Sequence, residues 1–318
     1  MKSKLFKLLP MLMLLLLGLT ISTCQRGKQK SKEGATIALV LKTLNHPFFI
    51  DMQRGAEEAA DSLSVNLLIQ AAEREVDVEK QMQIIENLIQ RQVDAICVAP
   101  SGSRELVPVI LKANEAGIPI ITIDTRVDSA ALVEIGAEVV TYVGSDNYEG
   151  GRIAGEFMVQ ELDGTGKVAI LEGIPGHETG DARLRGFHKA LEDAPGIEIV
   201  TSQTANWERD QGFNVFQNIM QSHPEVDAMF ACNDLMALGA IEAIAAANKT
   251  GEIVVIGFDA LNDAKIAIKE GKMRGSVAQH PYEMGKIAVE SAYKVLQGKT
   301  VPEYIPVTIE LITRKDLE

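Results

Sequence analysis

From Thr36 onward the chain alternates between two textures. Short apolar runs recur: "TIALVL", "VNLLIQ", "DAICVAP", "IPIITID", "TYVGSD", "KVAILEG", "IEIVTSQ", "AMFACND", "IVVIGFD" and "GSVAQ". Between them lie stretches with apolar residues three and four apart. In "VEKQMQIIENLIQRQ", for example, Met82, Ile85, Leu88 and Ile89 share one helical face. Apolar strands that are continuous rather than alternating, separated by helices, predict parallel sheets covered on both faces, hence an α/β fold. So many strands suit two sheets better than one, and 318 residues suit two domains.

In open parallel sheets the ligand crevice lies beyond the carboxyl ends of the strands. Those ends repeatedly carry polar residues here: Lys42, Asp124, Asn233 with Asp234, Asp259 and Gln279. Helix N-caps also favour Asp and Asn, and that reading is assigned to Asp234 and Asn147. Asp124, Asn233 and Asp259 are read as ligand contacts. In "ALVLKTLNHPFFIDMQRGAEEAA" the first strand gives way to a helix near Pro47, with Phe48 and Phe49 side by side in the turn. Two adjacent aromatics there serve either the core or a ligand.

Composition narrows the function. The chain is 46% hydrophobic and 24% charged, which is globular, and its net charge of −13 argues against nucleic acid. Cys97 and Cys232 each sit in an apolar run, where a thiol acts as a small hydrophobe; no disulfide framework is expected. The five histidines, His46, His177, His188, His223 and His280, show no metal-ligand spacing. Phosphate-loop, dinucleotide and nucleophile-elbow motifs are absent from the sequence. Glycine-rich "YEGGRIAG" reads as tight helix packing. The pattern is that of a binder without catalysis, cofactor or metal.

The first residues, "MKSKLFKLLPMLMLLLLGLTISTC", have an export-signal layout: Lys2, Lys4 and Lys7, then an apolar stretch from Leu8 to Leu19, shorter than the ~20 residues of a membrane span. The layout resembles a bacterial lipoprotein signal over residues 1–24, with Cys24 as the lipidated residue, although Thr23 stands where Gly, Ala or Ser is usual. An ordinary secretory signal and a true span are the alternatives. Residues 25–34, polar and basic, read as a flexible tether.

Ordered along almost the whole chain stand "TLNHPFF", "SDNYEGGRIAG", "ARLRGF", "SQTANWERDQGFNVFQNIM", "FACNDLMALGA", "VIGFDA" and "VAQHPYEMG". On these the chain from about Thr36 to Leu317 resembles periplasmic monosaccharide-binding proteins of sugar ABC importers, the ribose- and allose-binding type. The resemblance implies a type I periplasmic binding protein fold, two doubly wound parallel-sheet domains joined by a three-strand hinge. The crossings would lie near Ser145, Gln279 and Thr308. One subdomain would comprise 35–145 plus 280–308, the other 146–279 plus 309–318. Phe48 and Phe49 would stack on one face of a sugar ring and Trp207 on the other. Lys42, His46, Asp124, Arg183, Asn233, Asp259 and Gln279 would complete the site around the rim. Apolar C–H faces suit aromatic plates, and a hydroxyl-studded rim suits charges and amides.

Departures within the family bear on the ligand. Lys42 stands where the ribose pattern has serine, as in the allose pattern; His46 replaces asparagine, and Thr125 replaces arginine. Phe49 replaces the tryptophan of the allose pattern. These favour a hexose such as allose or psicose over ribose, with Glu178 and Thr125 as further candidates for discrimination. The implied partners are one monosaccharide, an ABC permease with its ATPase, and a membrane reached through the lipid anchor; the protein would be a monomer, exported to the periplasm or cell surface. Competing readings are a receptor for sugar or furanone-type signals feeding chemotaxis or a sensor kinase, a transcription repressor lacking its helix-turn-helix, and an isomerase lacking its base.

Overall fold

The computed structural model describes residues 34–318. The leader over 1–24, Cys24 and the tether up to residue 33 lie outside the described residues. Each of the apolar runs forms a strand. First come β1 (Thr36–Thr43), α1 (Pro47–Leu63), β2 (Asn66–Ala72), α2 (Val78–Gln90), β3 (Ala95–Val98), α3 (Val107–Glu115), β4 (Ile120–Ile123), α4 (Ser129–Ile135) and β5 (Thr141–Gly144). Then follow α5 (Asn147–Glu161), β6 (Thr165–Glu172), α6 (Glu178–Leu191), β7 (Gly196–Thr204), α7 (Arg209–Ser222), β8 (Ala228–Ala231), α8 (Asp234–Ala246), β9 (Val254–Asp259), α9 (Asn262–Lys269), β10 (Gly275–Ala278) and α10 (Pro281–Leu296). Two short strands that the pattern did not reveal, β11 (Tyr304–Pro306) and β12 (Glu310–Thr313), close the chain.

The strands make two six-stranded sheets, ordered β11-β5-β4-β3-β1-β2 and β12-β10-β9-β8-β6-β7. Pairing is parallel throughout, save for β12, which runs antiparallel to β10. The continuous apolar runs are explained by the two-sided burial: along β1, Ile37, Leu39 and Leu41 enter a core shared with α1 and α10, while Ala38 and Val40 enter another shared with α2 and α3. The second sheet has its own core around Phe187, Phe216, Phe230 and Phe258. On α2 the fully buried face is Gln81, Ile84, Ile85 and Leu88; Met82 and Ile89 are only half-buried. Gln81 is there for its amide, which bonds the carbonyls of Leu41 and Ala99 and the Ser101 amide, tying the ends of β1 and β3 together.

Three segments cross between the sheets. Gly144 to Asn147 leads from β5 into α5, Ala278 to Pro281 from β10 into α10, and Pro306 to Glu310 from β11 into β12. Because α10 packs on α1, it returns the chain to the first lobe; Gly285 lies so close to α1 that a Cβ there would sit 1.9 Å from the Met52 carbonyl oxygen. The result is two lobes whose strand ends face one another across a cleft.

Candidate functional site

The strand ends and adjoining loops, with α1 and α6, deliver ten side chains from both lobes to one cavity. It is lined by Lys42, His46, Phe48, Phe49, Asp124, Arg183, Trp207, Asn233, Asp259 and Gln279, and also by Glu75 and Thr179. All ten residues expected from the sequence therefore come together. Glu75 and Thr179 had not been expected.

Each lobe contributes an ion pair that faces inward. In the first, Lys42 Nζ donates to Asp124 Oδ2 at 2.9 Å and lies 3.7 Å from Glu75 Oε2 and 5.4 Å from the centre of the Phe49 ring. In the second, Arg183 Nη1 stands 3.9 Å from Asp259 Oδ1, which also accepts from Gln279 Nε2 at 2.8 Å. Arg183 is 3% exposed and is held on three sides: Nε donates to Asn147 Oδ1 at 2.9 Å, Nη1 to the Cys232 carbonyl at 2.6 Å, and the plane lies 3.7 Å from the Phe258 ring centre. Among the described residues no hydrogen bond is made by its Nη2, which remains available to a ligand.

The aromatic pair serves both the core and the cavity. Phe48 and Phe49 meet edge-to-face at 5.3 Å, pack into the first lobe's core and line the cavity wall. Neither acts as a hydrophobic staple, because Asn45 precedes the helix cap. The cap is His46, whose Nδ1 accepts from the Phe48 amide at 3.1 Å. That bond leaves the proton of the neutral ring on Nε2. Across the cleft the Trp207 indole lies against Gly173, where a Cβ would meet Cζ2 at 2.0 Å; its Nε1 and the Gln279 Oε1 are buried without partners among the described residues.

Two expectations about caps are reversed. Asn233, expected to contact ligand only, is the N-cap of α8: its Oδ1 accepts from the Met236 amide and its Nδ2 donates to the Trp207 carbonyl. Asp234, expected as that cap, is instead a fully buried carboxylate bonded to Ser276 Oγ and the Leu261 amide, away from the cavity. Likewise Asp146, not Asn147, caps α5, freeing Asn147 to hold Arg183. In each pair the cap is taken by the last residue with extended backbone before the helix begins. The glycines of "YEGGRIAG" do pack helices: a Cβ on Gly151 would fall 2.0 Å from the Arg183 carbonyl oxygen. Glu178 does not line the cavity; its amide donates to Ser103 Oγ and its carboxylate faces Arg185.

Burial sets the protonation of the cavity walls. Desolvation pushes the Glu75 and Asp259 carboxyls up to about 7, against the pull of Lys42 and Arg183 respectively. Burial acts on Asp124 in the same sense, but the charge and hydrogen bond of Lys42 outweigh it and hold that carboxyl below its usual range. Desolvation, reinforced by Lys42, lowers His46 to about 4 and the neighbouring His177 to about 3, so both rings are neutral at pH 7. Cys97 and Cys232 are free and buried, and burial raises the Cys232 thiol to about 12. Among the described residues no group of three or more His, Cys, Asp or Glu side chains is placed to hold a metal ion.

Residues 37–300 match the family described as the periplasmic binding protein domain. The chain belongs to this family. Its relatives include the ribose import binding protein of Bacillus subtilis (strain 168), 39% identical over 285 residues, covering 90% of this chain and 89% of that one. The D-allose-binding periplasmic protein of Escherichia coli (strain K12) is 34% identical over 306 residues, covering 94% and 96%. A solved ABC transporter periplasmic solute binding protein from Actinobacillus succinogenes, with bound D-allose, superposes with a TM-score of 0.85 at 39% identity, covering 89% of this chain and 99% of that one. For a periplasmic binding protein the two-sheet architecture and interlobe cleft described above are the fold itself.

Proposed function

We propose that this periplasmic binding protein is the extracytoplasmic substrate-binding component of a sugar ABC importer. It closes two lobes around one monosaccharide and presents it to a permease with its ATPase. One observation carries the reading: a single small cavity is walled by aromatic rings on opposite lobes and by alternating carboxylates and cations between them. A sugar hydroxyl donates and accepts at once, so one ring can satisfy Asp124 and Asp259 as acceptors and Lys42 and Arg183 as donors. The unpartnered Gln279 Oε1 and Trp207 Nε1 supply one further acceptor and one further donor. Relatives named for ribose and for D-allose support the same ligand class.

Within that class we favour a hexose such as allose or psicose over ribose, because Lys42 stands in the first lobe as an ammonium directly beside Asp124. Calorimetry or a thermal-shift screen of the mature protein against monosaccharides is the test. A cognate sugar at a hundred times its Kd stabilises by ~2.7 kcal/mol. No shift with any monosaccharide overturns the reading. Anchoring through Cys24 and a monomeric state belong to the same proposal; the anchor is decided by whether labelled fatty acid enters the wild type and not Cys24→Ser.

A further inference from the structure

Glu75 follows β2 on a loop of charged residues, yet it is only 7% exposed and its carboxylate lines the cavity. Its single ionic neighbour is Lys42 Nζ at 3.7 Å, and that ammonium is committed to Asp124 at 2.9 Å. No hydrogen bond reaches either Glu75 oxygen from the described residues. A buried carboxylate in that condition bears a desolvation cost that a hydroxyl donor would relieve. Two of its acceptor sites are therefore unspent.

Its position within the wall is equally specific. Glu75, His46 and Trp207 line both the cavity and an adjoining recess of about 970 Å3 that opens between the lobes. The other rim groups, Asp124, Arg183, Asn233, Asp259 and Gln279, do not border that recess. Asp259 and Gln279 border a different recess, beside Phe48 and α10, and Asp124, Arg183 and Asn233 border neither. A substituent projecting from a bound ring towards the recess beside Glu75 meets its carboxylate first.

We propose that Glu75 is a specificity-determining residue whose carboxylate accepts the hydroxyl of an exocyclic hydroxymethyl group, so that the site selects a hexopyranose over the matching pentopyranose. This rests on the monosaccharide reading above and adds to it the group that is read. Lys42 Nζ, at 3.7 Å, attracts Glu75 without hydrogen-bonding it, so both carboxyl oxygens stay free to accept from a ligand.

D-allose, 6-deoxy-D-allose and D-ribose differ only at that group and isolate it. Calorimetric affinities for the wild type, Glu75→Gln and Glu75→Ala are compared, with melting curves confirming that each variant folds. At pH 8, above the raised Glu75 value of about 7, the wild type is expected to prefer allose over 6-deoxyallose by about 10- to 100-fold, the range of a hydrogen bond to a charged group. Glu75→Ala is expected to collapse that ratio to within about threefold, and the isosteric Glu75→Gln to fall between. A ratio unchanged in Glu75→Ala, or a wild type without preference for allose over its 6-deoxy form, overturns the role of Glu75 while monosaccharide binding stands. A wild type that binds no monosaccharide overturns the underlying function and this inference with it.

Discussion

Asp124, Trp207 and Asp259 hold backbone φ values of 64°, 68° and 109°, in a region that side chains other than glycine rarely enter. All three line the cavity, and such strain persists only where surrounding contacts enforce it. At Asp124 the enforcers are visible: the Thr125 amide donates to the Ile123 carbonyl at 2.6 Å, and the Tyr142 hydroxyl donates to the Asp124 carbonyl at 2.9 Å. Asp124 and Asp259 were legible through their place after apolar strands and Trp207 only through the family resemblance, while Glu75 was legible through neither. The segment "AEREVD" is polar throughout, so nothing local separates buried Glu75 from exposed Glu73 and Arg74. It lies in the cavity wall beside Lys42 at the end of β1, a tertiary placement that no local pattern encodes. A pH experiment reads that burial directly. The Glu75 carboxyl is raised from 4.5 to about 7 in the folded protein. Between those values the unfolded chain releases its proton and the folded one keeps it, so stability falls as pH rises through the window. His46 and His177 are lowered and contribute in the opposite sense, gaining stability as pH rises towards 6.5. The difference between Glu75→Gln and wild type removes the histidine slopes. In the ligand-free protein the melting temperature of Glu75→Gln relative to wild type should climb from pH 4.5 to pH 7; a difference flat across that range would mean Glu75 is hydrated in solution.

At the scale of elements, the ten strand runs were legible because parallel strands buried on both faces need continuous apolar sequence. β11 and β12 were not, at three and four residues with only partial burial. Caps were legible in kind but displaced by one residue at Asn233 and Asp146, since adjacent Asn and Asp residues are interchangeable by propensity and only the backbone decides. Tight packing of α5 was expected from its glycines, though not its partner α6, and the contact bears on the site because α6 carries Arg183. A Cβ at Gly151 would lie 2.0 Å from the Arg183 carbonyl oxygen, and one at Gly186 would lie 1.9 Å from the Tyr148 carbonyl oxygen. Backbone atoms cannot rotate away, so the helices must separate. Gly151→Ala is accordingly expected to cost about 1–3 kcal/mol in urea unfolding, the range of overpacked contacts. It should also weaken sugar binding, because shifting α6 pulls Arg183 from Asn147 and the Cys232 carbonyl. Full stability together with full affinity would show that the two helices adjust without moving the guanidinium.

At the scale of the whole molecule, the cavity exists only because the lobes meet. Lys42, Phe48, Phe49 and Asp124 come from one lobe, Arg183, Trp207, Asn233 and Asp259 from the other, and all are nearly inaccessible as they stand. A ligand cannot enter a closed cavity, so binding requires an open state joined to this one through the three crossings. Among the described residues the hydrogen bonds across the cleft include Thr125 Oγ1 with Thr179 Oγ1 at 3.1 Å, the Glu178 amide to Ser103 Oγ at 3.1 Å, and His177 Nε2 with the Pro100 carbonyl at 3.4 Å, and Leu261 packs against the cores of both lobes. Where the open state dominates without ligand, the sugar supplies the differential affinity that closes the lobes. Ser103 offers a test because it does not line the cavity, so its removal alters closure without altering the ring's contacts. Losing one hydrogen bond of ~0.5–1.5 kcal/mol lowers the closed population and weakens apparent affinity by about 2- to 10-fold. Ser103→Ala should therefore bind the same sugar more weakly, mostly through faster release, while retaining the wild-type order of preference among sugars. Small-angle scattering supplies the second half of the argument: the radius of gyration should fall when wild type is saturated, and saturated Ser103→Ala should reach the same compact value. A radius that does not fall on saturation would mean the cleft is preformed, and unchanged affinity in Ser103→Ala would mean that closure is governed by the sugar's own contacts alone.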